Sequence, residues 1–417
     1  MTTVPFLRSD IEVMAPAGSY ESLRAALAAG ADSVYFGIGH LNMRSRSAAN
    51  FELPDLSEIS NICQDFGARS YLALNTVMFD RELDLVRRVI EEAHHSGISA
   101  IIASDQSVLE YARSLGVEIH LSTQLNVSNF PTTQFYSRYA DVMVLARELD
   151  LEQVSEISRQ IGAAQLKGPK GKTIKLEMFV HGALCMAISG KCYLSLHQYG
   201  SSANRGSCLQ GCRRSYLVTD RETGDELAVE NEYIMSPKDL CTIGFLDRIL
   251  ASGVTVLKIE GRARPPEYVS TVTRCYREAV ESIIDGSYSR ERIEEWTRML
   301  ATVFNRGFWD GYYLGQRLGE WSEVYGSMAT KRRVYLARGI KYFPKIGVGE
   351  FLMETGSLRR GDLVFITGPT TGLIEIEIDE IHFEERPAEE VGKGDHFSIR
   401  VPRKIRPSDK LFKWVEA

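Results

Sequence analysis

Eight short apolar runs recur between Glu12 and Ile259, most of them followed by an amphipathic segment. They are Glu12–Gly18, Ser33–Gly37, Ser70–Asn75, Ala100–Ser104, Glu118–Ser122, Asp141–Ala146, Leu176–Val180 and Val254–Ile259. After the first, Ser19 to Ala29 reads as a helix with Leu23, Ala26 and Leu27 on one face. After the third, Arg81 to Ala93 repeats Leu83, Val86, Val89, Ile90 and Ala93 at helical spacing. Near-continuous apolar strands separated by helices predict a parallel sheet covered on both faces. Eight such units in about 250 residues match a TIM-like (β/α)8 barrel, an α/β fold. An open doubly wound sheet is the alternative, weakened because no GxGxxG follows the first run.

The last strand-to-strand connection is long, at about 181–253. It contains a predicted hairpin, Tyr216 to Thr219 and Glu226 to Val229, turning at Thr223-Gly224-Asp225. A connection of that length calls for a function, and a metal centre would order it. Helices are predicted over Pro266 to Asp285 and Arg290 to Phe304. After about Tyr325 the pattern changes to short strands, Arg333–Ala337, Leu363–Thr367, Ile374–Ile378 and His396–Arg400, separated by Gly/Asp turns. Two domains follow: a barrel over 1–325 with its cysteine-rich insertion, and a small all-β barrel over 326–417. The stretch Arg400–Trp414 carries six basic side chains with Phe412 and Trp414 interleaved. Such a strip would hold phosphates and stack bases; a solvated strand edge is the plainer reading.

Five of the seven cysteines, Cys185, Cys192, Cys208, Cys212 and Cys241, fall in the long connection. Thiols clustered among glycines point to a soft metal or an iron–sulfur centre. Six residues separate Cys185 from Cys192, fifteen separate Cys192 from Cys208, and three separate Cys208 from Cys212. That spacing is neither the CxxC of a zinc knuckle nor the CxxCxxC of a bacterial ferredoxin. An iron–sulfur centre, a zinc site and an unmetallated set all stay open, with five candidates for four ligand positions. Cys241 is predicted to open a helix near the same rim, while Cys63 and Cys275 read as packed core thiols.

The first residues show no basic region followed by an apolar one, and no run of eighteen apolar residues exists. Neither a signal peptide nor a membrane span is expected. In the cytoplasm expected by default, metal ligation outranks disulfides. The net charge of -6 makes no global case for nucleic acid, although a local basic patch would suffice.

The run Phe179-x-x-Gly182-Ala-Leu-Cys185-x4-Gly190-x-Cys192-x-Leu-Ser195 resembles the signature of the collagenase-like peptidase family, unclassified family thirty-two. Ala15-Pro-Ala-Gly18, Tyr35-Phe-Gly37, Ser45–Phe51, Ser122-Thr-Gln124, Leu145–Glu148, Asn204–Cys208, Ser236–Cys241 and Lys258–Arg262 are similar to that family as well. The added C-terminal module resembles the branch that hydroxylates tRNA. The resemblance implies a 4Fe-4S cluster on Cys185, Cys192, Cys208 and Cys241, with Cys212 spare. It implies prephenate as co-substrate, tRNA as partner and hydroxylation at C5 of the wobble uridine. Gly211 departs from the family, where proline is frequent.

Active sites of such barrels lie at the C-terminal strand ends. There the chain places Asn75, Ser104, Ser122, Thr123, Gln124, Asn126, Arg147, Glu148, His181, Glu260 and Arg262. Arg44, Arg147 and Arg262, with Asn75, are the candidates for binding the dicarboxylate, since arginine forks take carboxylates in pairs. His181, Gln124 and Glu260 are the catalytic candidates; for His181 a purely structural role competes. Lys238 and Asp239 are candidates for supporting the cluster. A peptidase, as the family name implies, finds no HExxH and no GxSxG. Its remaining form is Cys208 or Cys212 as nucleophile with His181 as base. A non-catalytic, zinc-stapled RNA-binding module is the third reading, opposed by the polar ring.

Overall fold

The structure, a computed structural model, describes residues 7–46, 49–217, 219–224 and 235–417. The predicted hairpin falls largely on residues outside these. Strands β1 (Glu12–Pro16), β2 (Ser33–Phe36), β3 (Arg69–Leu74), β4 (Ala100–Ala103), β5 (Glu118–Leu121), β6 (Val142–Val144) and β7 (Lys175–Ala183) lie side by side in chain order. After β8 (Asp239–Cys241), strand β9 (Val254–Ile259) pairs in parallel with both β7 and β1 and closes an eight-stranded parallel barrel. The period of two along each strand divides the side chains. Met14, Tyr35, Tyr71, Ile102, Val142 and Val256 fill the interior. Val13, Val34, Leu72, Ile101, Ile119, Met143 and Leu257 face the helices.

The helices start and pack as their sequences direct. Ser19 caps Tyr20–Ala28 by accepting from the Ser22 amide at 3.3 Å, and Leu23, Ala26 and Leu27 are buried. Leu83–His95 buries Val86, Val89, Ile90 and Ala93, each large apolar side chain worth about 1.5–3 kcal/mol. Pro266–Asp285 has the predicted bounds. Among the described residues no helix is long and apolar enough to cross a membrane.

Strand β7 overshoots the barrel, which leaves its end open for pairing. The segment predicted to open a helix at Cys241 is instead β8, antiparallel to that end, with His181 opposite Cys241. Its helix follows at Leu246–Ala251. Strand β10 (Phe308–Trp309) then pairs with β8.

The C-terminal residues form an antiparallel sheet of eight strands with a core of its own, including Leu336, Phe351, Val364, Ile366, Ile399 and Leu411. This module sits on the outer helices. Arg24 donates from Nε to the Pro369 carbonyl at 3.0 Å, and Arg333 pairs with Glu267 at 3.2 Å. The aromatics of the basic strip serve packing. Phe412 stacks on Phe365 at 5.2 Å, and Trp414 lies 4.9 Å from Phe365 and donates to Glu375. This packing leaves Phe412 and Trp414 only partly buried. Lys413 is paired with Asp362 at 2.6 Å.

Candidate active site

At the C-terminal strand ends a polar cavity of about 90 Å³ is lined by Arg44, Asn75, Ser122, Gln124, Arg147, Lys258, Glu260 and Arg262, with Tyr35 and Phe179. Arg44 donates to Glu260 Oε1 from Nε at 3.1 Å and from Nη2 at 2.8 Å. Burial works to raise the Glu260 carboxyl, but Arg44, Arg147 and Arg262 outweigh it and hold the group down at about 2. Arg262 donates to Asn42 Oδ1 at 3.0 Å, and burial pulls its guanidinium below the usual value. Arg147 stands 4.0 Å over the Phe179 ring. Nε of Arg147 and Nε of Arg262 are buried without a hydrogen-bond partner. An unsatisfied buried donor costs about 1–3 kcal/mol. Three guanidinium groups facing one carboxylate, with two donors unmet, suit an anionic, acceptor-rich ligand.

Asn75 builds the cavity. Its Oδ1 accepts from the Met43 amide at 3.2 Å, and its Nδ2 donates to Ser122 Oγ at 3.2 Å and Gln124 Oε1 at 3.3 Å. The loop that carries Arg44 is thereby tied to the end of β5.

A chain of charges fills the barrel axis below. Lys258 Nζ donates to Glu177 Oε1 at 2.6 Å, with both side chains almost wholly buried. Glu177 Oε2 meets His120 Nδ1 at 2.8 Å, His120 Nε2 lies 3.5 Å from Glu118, and Arg69 holds Glu118 at 2.8 Å. Burial alone would lower the imidazole, but Glu118 and Glu177 prevail and raise it. The strand-end residues read from the sequence do not include His120, Lys258 or Glu177. Their signal was a charged residue at an inward position of an otherwise apolar strand. Lys258→Met strands Glu177 beside His120 alone. The expected cost is about 3–5 kcal/mol in denaturant unfolding, with part regained when Glu177→Gln is added.

Beyond β7 the cysteine segment folds over the rim and is pinned there. Asn126 donates to the Ser189 carbonyl at 2.9 Å, Arg205 pairs with Glu82, and Arg213 donates to Ser236 Oγ at 3.0 Å and Pro237 O at 2.6 Å. Gly206, at φ +80°, lies so close to the loop after β2 that a Cβ would meet Asn42 O and Ser45 Oγ at 2.3 Å. Gly206→Ala combines that clash with a left-handed backbone, a strain on the order of 1–3 kcal/mol. The segment around Cys208 should then be cut faster in limited proteolysis, with the barrel itself still protected.

Cys185, Cys192, Cys208 and Cys212 line one cavity of about 580 Å³ together with Arg44, Arg213, Arg264 and Arg306. All are free thiols. Burial raises the Cys212 thiol; Arg213 opposes this, and the charges of Cys185, Cys208 and Cys192 add to it. A single zinc needs sulfur ligands about 2.3 Å from one centre. Among the described residues no three His, Cys, Asp or Glu side chains form such a group. Four thiols around an open, arginine-lined space fit a multi-iron cluster, whose thiolate charge the arginines would offset.

Two expected site residues lie elsewhere. Phe179 pairs with Lys258, but His181 pairs with Ile259, so β7 bulges by one residue. The bulge reverses the inward–outward alternation. The His181 ring therefore packs 5.5 Å from Tyr276 and 5.6 Å from Phe308, lines neither cavity, and is pushed down to about 3 by burial. Its acid–base assignment is withdrawn. Cys241 sits opposite it on β8, in the barrel core, with its thiol raised by burial to about 11. It also lines neither cavity. The strand pairing that replaced the predicted helix holds it behind β7, and Cys212 is the fourth cysteine of the cavity lining. Asp239 is buried with Arg306 at 3.4 Å, while Lys238 pairs with Glu320 at the surface.

Residues 18–323, which hold β2 to β10 and the cysteine segment, match peptidase family U32. The chain belongs to that family. A relative called collagenase, from Porphyromonas gingivalis (strain ATCC BAA-308 / W83), is 58% identical, covering 97% of this chain and 98% of its own. The tRNA hydroxylation protein P1 of Bacillus subtilis (strain 168) is 28% identical, covering 96% and 94%. The 23S rRNA 5-hydroxycytidine C2501 synthase of Escherichia coli (strain K12) is 34% identical, covering 74% of this chain and 46% of its own. Within the matched residues, the run Phe179–Ser195 is where β7 leaves the barrel and becomes the thiol-bearing segment.

Proposed function

We propose that the chain is an RNA hydroxylase acting at C5 of the wobble uridine of tRNA, with prephenate as co-substrate and a 4Fe-4S cluster on Cys185, Cys192, Cys208 and Cys212. One observation carries this reading. Cys185, Arg44 and Glu260 line both the thiol cavity and the arginine cavity. A redox group and a small anion would stand side by side at the barrel mouth. Bound there, the cluster would supply electron transfer or polarise prephenate, the oxygen-donating partner that would take up the two electrons lost when C5–H becomes C5–OH. The chain's own residues do the positioning. Arg147 and Arg262 donate to carboxylates, Glu260 fixes Arg44, and Asn75 with Gln124 fixes the loop between them. Two relatives named for RNA hydroxylation support the substrate class.

The test is nucleoside mass spectrometry of unmodified tRNA incubated with anaerobically purified protein. Hydroxylated uridine that depends on prephenate is the expected product. Its absence with the cluster intact rules the reading out.

The relative called collagenase keeps peptide hydrolysis as a second reading. The structure removes its expected base, because His181 faces away from Cys208 and Cys212. His197, which lines the cysteine cavity, is the available replacement. Gelatin cleavage that survives cluster assembly and is abolished by thiol alkylation would favour this reading over the first.

A further inference from the structure

A third cavity, of about 290 Å³, opens on the other side of the Cys185 loop. Trp309, Tyr312 and Trp321 form one wall, and Trp309 and Tyr312 meet edge to face at 5.3 Å. The three rings converge on Gly319, where a Cβ would lie 3.3 Å from the Tyr312 hydroxyl, 3.7 Å from the Trp309 ring and 3.9 Å from the Trp321 ring. Met186 and Ile188 of the cysteine loop face them, both about half exposed. Arg147 and Glu148 are the two charged residues of the lining, with Ser189 beside them. Trp309 is 5% exposed, yet its indole N–H has no hydrogen-bond partner, and the same holds for Arg147 Nε.

An aromatic slot with unmet donors and one carboxylate acceptor calls for a flat ligand with hydrogen-bonding groups on its edge. A nucleobase has that form, and enzymes that act on a base take it out of the stack into such a pocket. We infer that this cavity receives the target base, flipped from its RNA. The inference rests on the RNA reading above and adds a separate binding site to it. Arg147 also lines the anion cavity and Cys185 also lines the thiol cavity, so a base seated here stands beside both. Glu148 accepts from a ring N–H and Trp309 donates to a ring carbonyl, while Arg147 stays with the anion. Uracil offers an N–H between two carbonyls. Cytosine presents a bare ring nitrogen to Glu148 and is disfavoured.

The test measures binding of anticodon stem-loops that carry uridine, cytidine or an abasic site at the wobble position. It uses the anaerobically purified holoprotein, Trp321→Ala and Glu148→Gln. Trp321 is 36% exposed and Glu148 lies at the surface, so both variants should fold. The wild type should prefer uridine over the abasic site by about 10-fold, the order expected for one base on an aromatic face. Trp321→Ala should erase that preference and leave abasic affinity unchanged. Glu148→Gln should relax discrimination against cytidine. A wild type that prefers uridine, with both variants keeping the preference, overturns the pocket and leaves the RNA reading standing. Equal affinity for all three loops also overturns it. A protein that binds none of the loops ends the RNA reading and the pocket together.

Discussion

Cys212→Ser should strip most of the iron and acid-labile sulfide from anaerobically purified protein, while Cys241→Ser should leave both near the wild-type amount of about four per chain. The argument is positional. Four thiols share one cavity, Cys212 among them. Cys241 is strand-paired behind β7 and surrounded by core. Its replacement should cost stability alone, on the order of 1–3 kcal/mol for a polar group placed in a packed site. Iron and sulfide analysis with the visible absorption spectrum reads the result, and Cys185→Ala serves as the positive control. Iron lost from Cys241→Ser and kept by Cys212→Ser would reinstate the ligand set implied by family resemblance, and the thiol cavity would no longer be the cluster site.

Glu260→Gln should destabilise the protein at neutral pH by about 3–5 kcal/mol, because it leaves buried guanidinium groups without their counter-charge. Arg44 loses its bidentate partner, and Arg147 and Arg262 lose the carboxylate that screens them from each other. A dicarboxylate would then replace the missing charge. Prephenate should therefore raise the melting temperature of Glu260→Gln more than that of the wild type. The pH dependence has a fixed sign. The Glu260 carboxyl sits at about 2 in the fold against an ordinary 4.5, so its stabilisation is complete above about 4.5 and is lost as pH falls toward 2. The stability gap between wild type and variant should close across that window. Equal melting at pH 7 would show that the arginines do not depend on Glu260.

Much of the site could be read from residue types at strand ends. Asn75, Gln124, Arg147, Glu260 and Arg262 converge as expected, because the end of a parallel barrel strand faces the mouth whatever the loops do. Arg44 joins them from a loop, held by Asn75 and Glu260. His181 and Cys241 are the exceptions, and they share one cause. A one-residue bulge in β7 turns His181 away from the cavity, and Cys241, paired directly opposite it on β8, shares its side of the sheet.

Residue pattern alone carries the alternation of eight strands with helices, the change to short strands in the C-terminal part, and the concentration of thiols in one connection. These are local properties, carried by hydrophobic period and by spacing along the chain. Tertiary structure decided which four thiols face one another, that Lys258, Glu177 and His120 form a buried chain, and that Phe412 and Trp414 pack on Phe365. Each of those outcomes depends on the register between segments far apart in the chain. Register is set by the packing of the whole barrel, and no single run of residues records it.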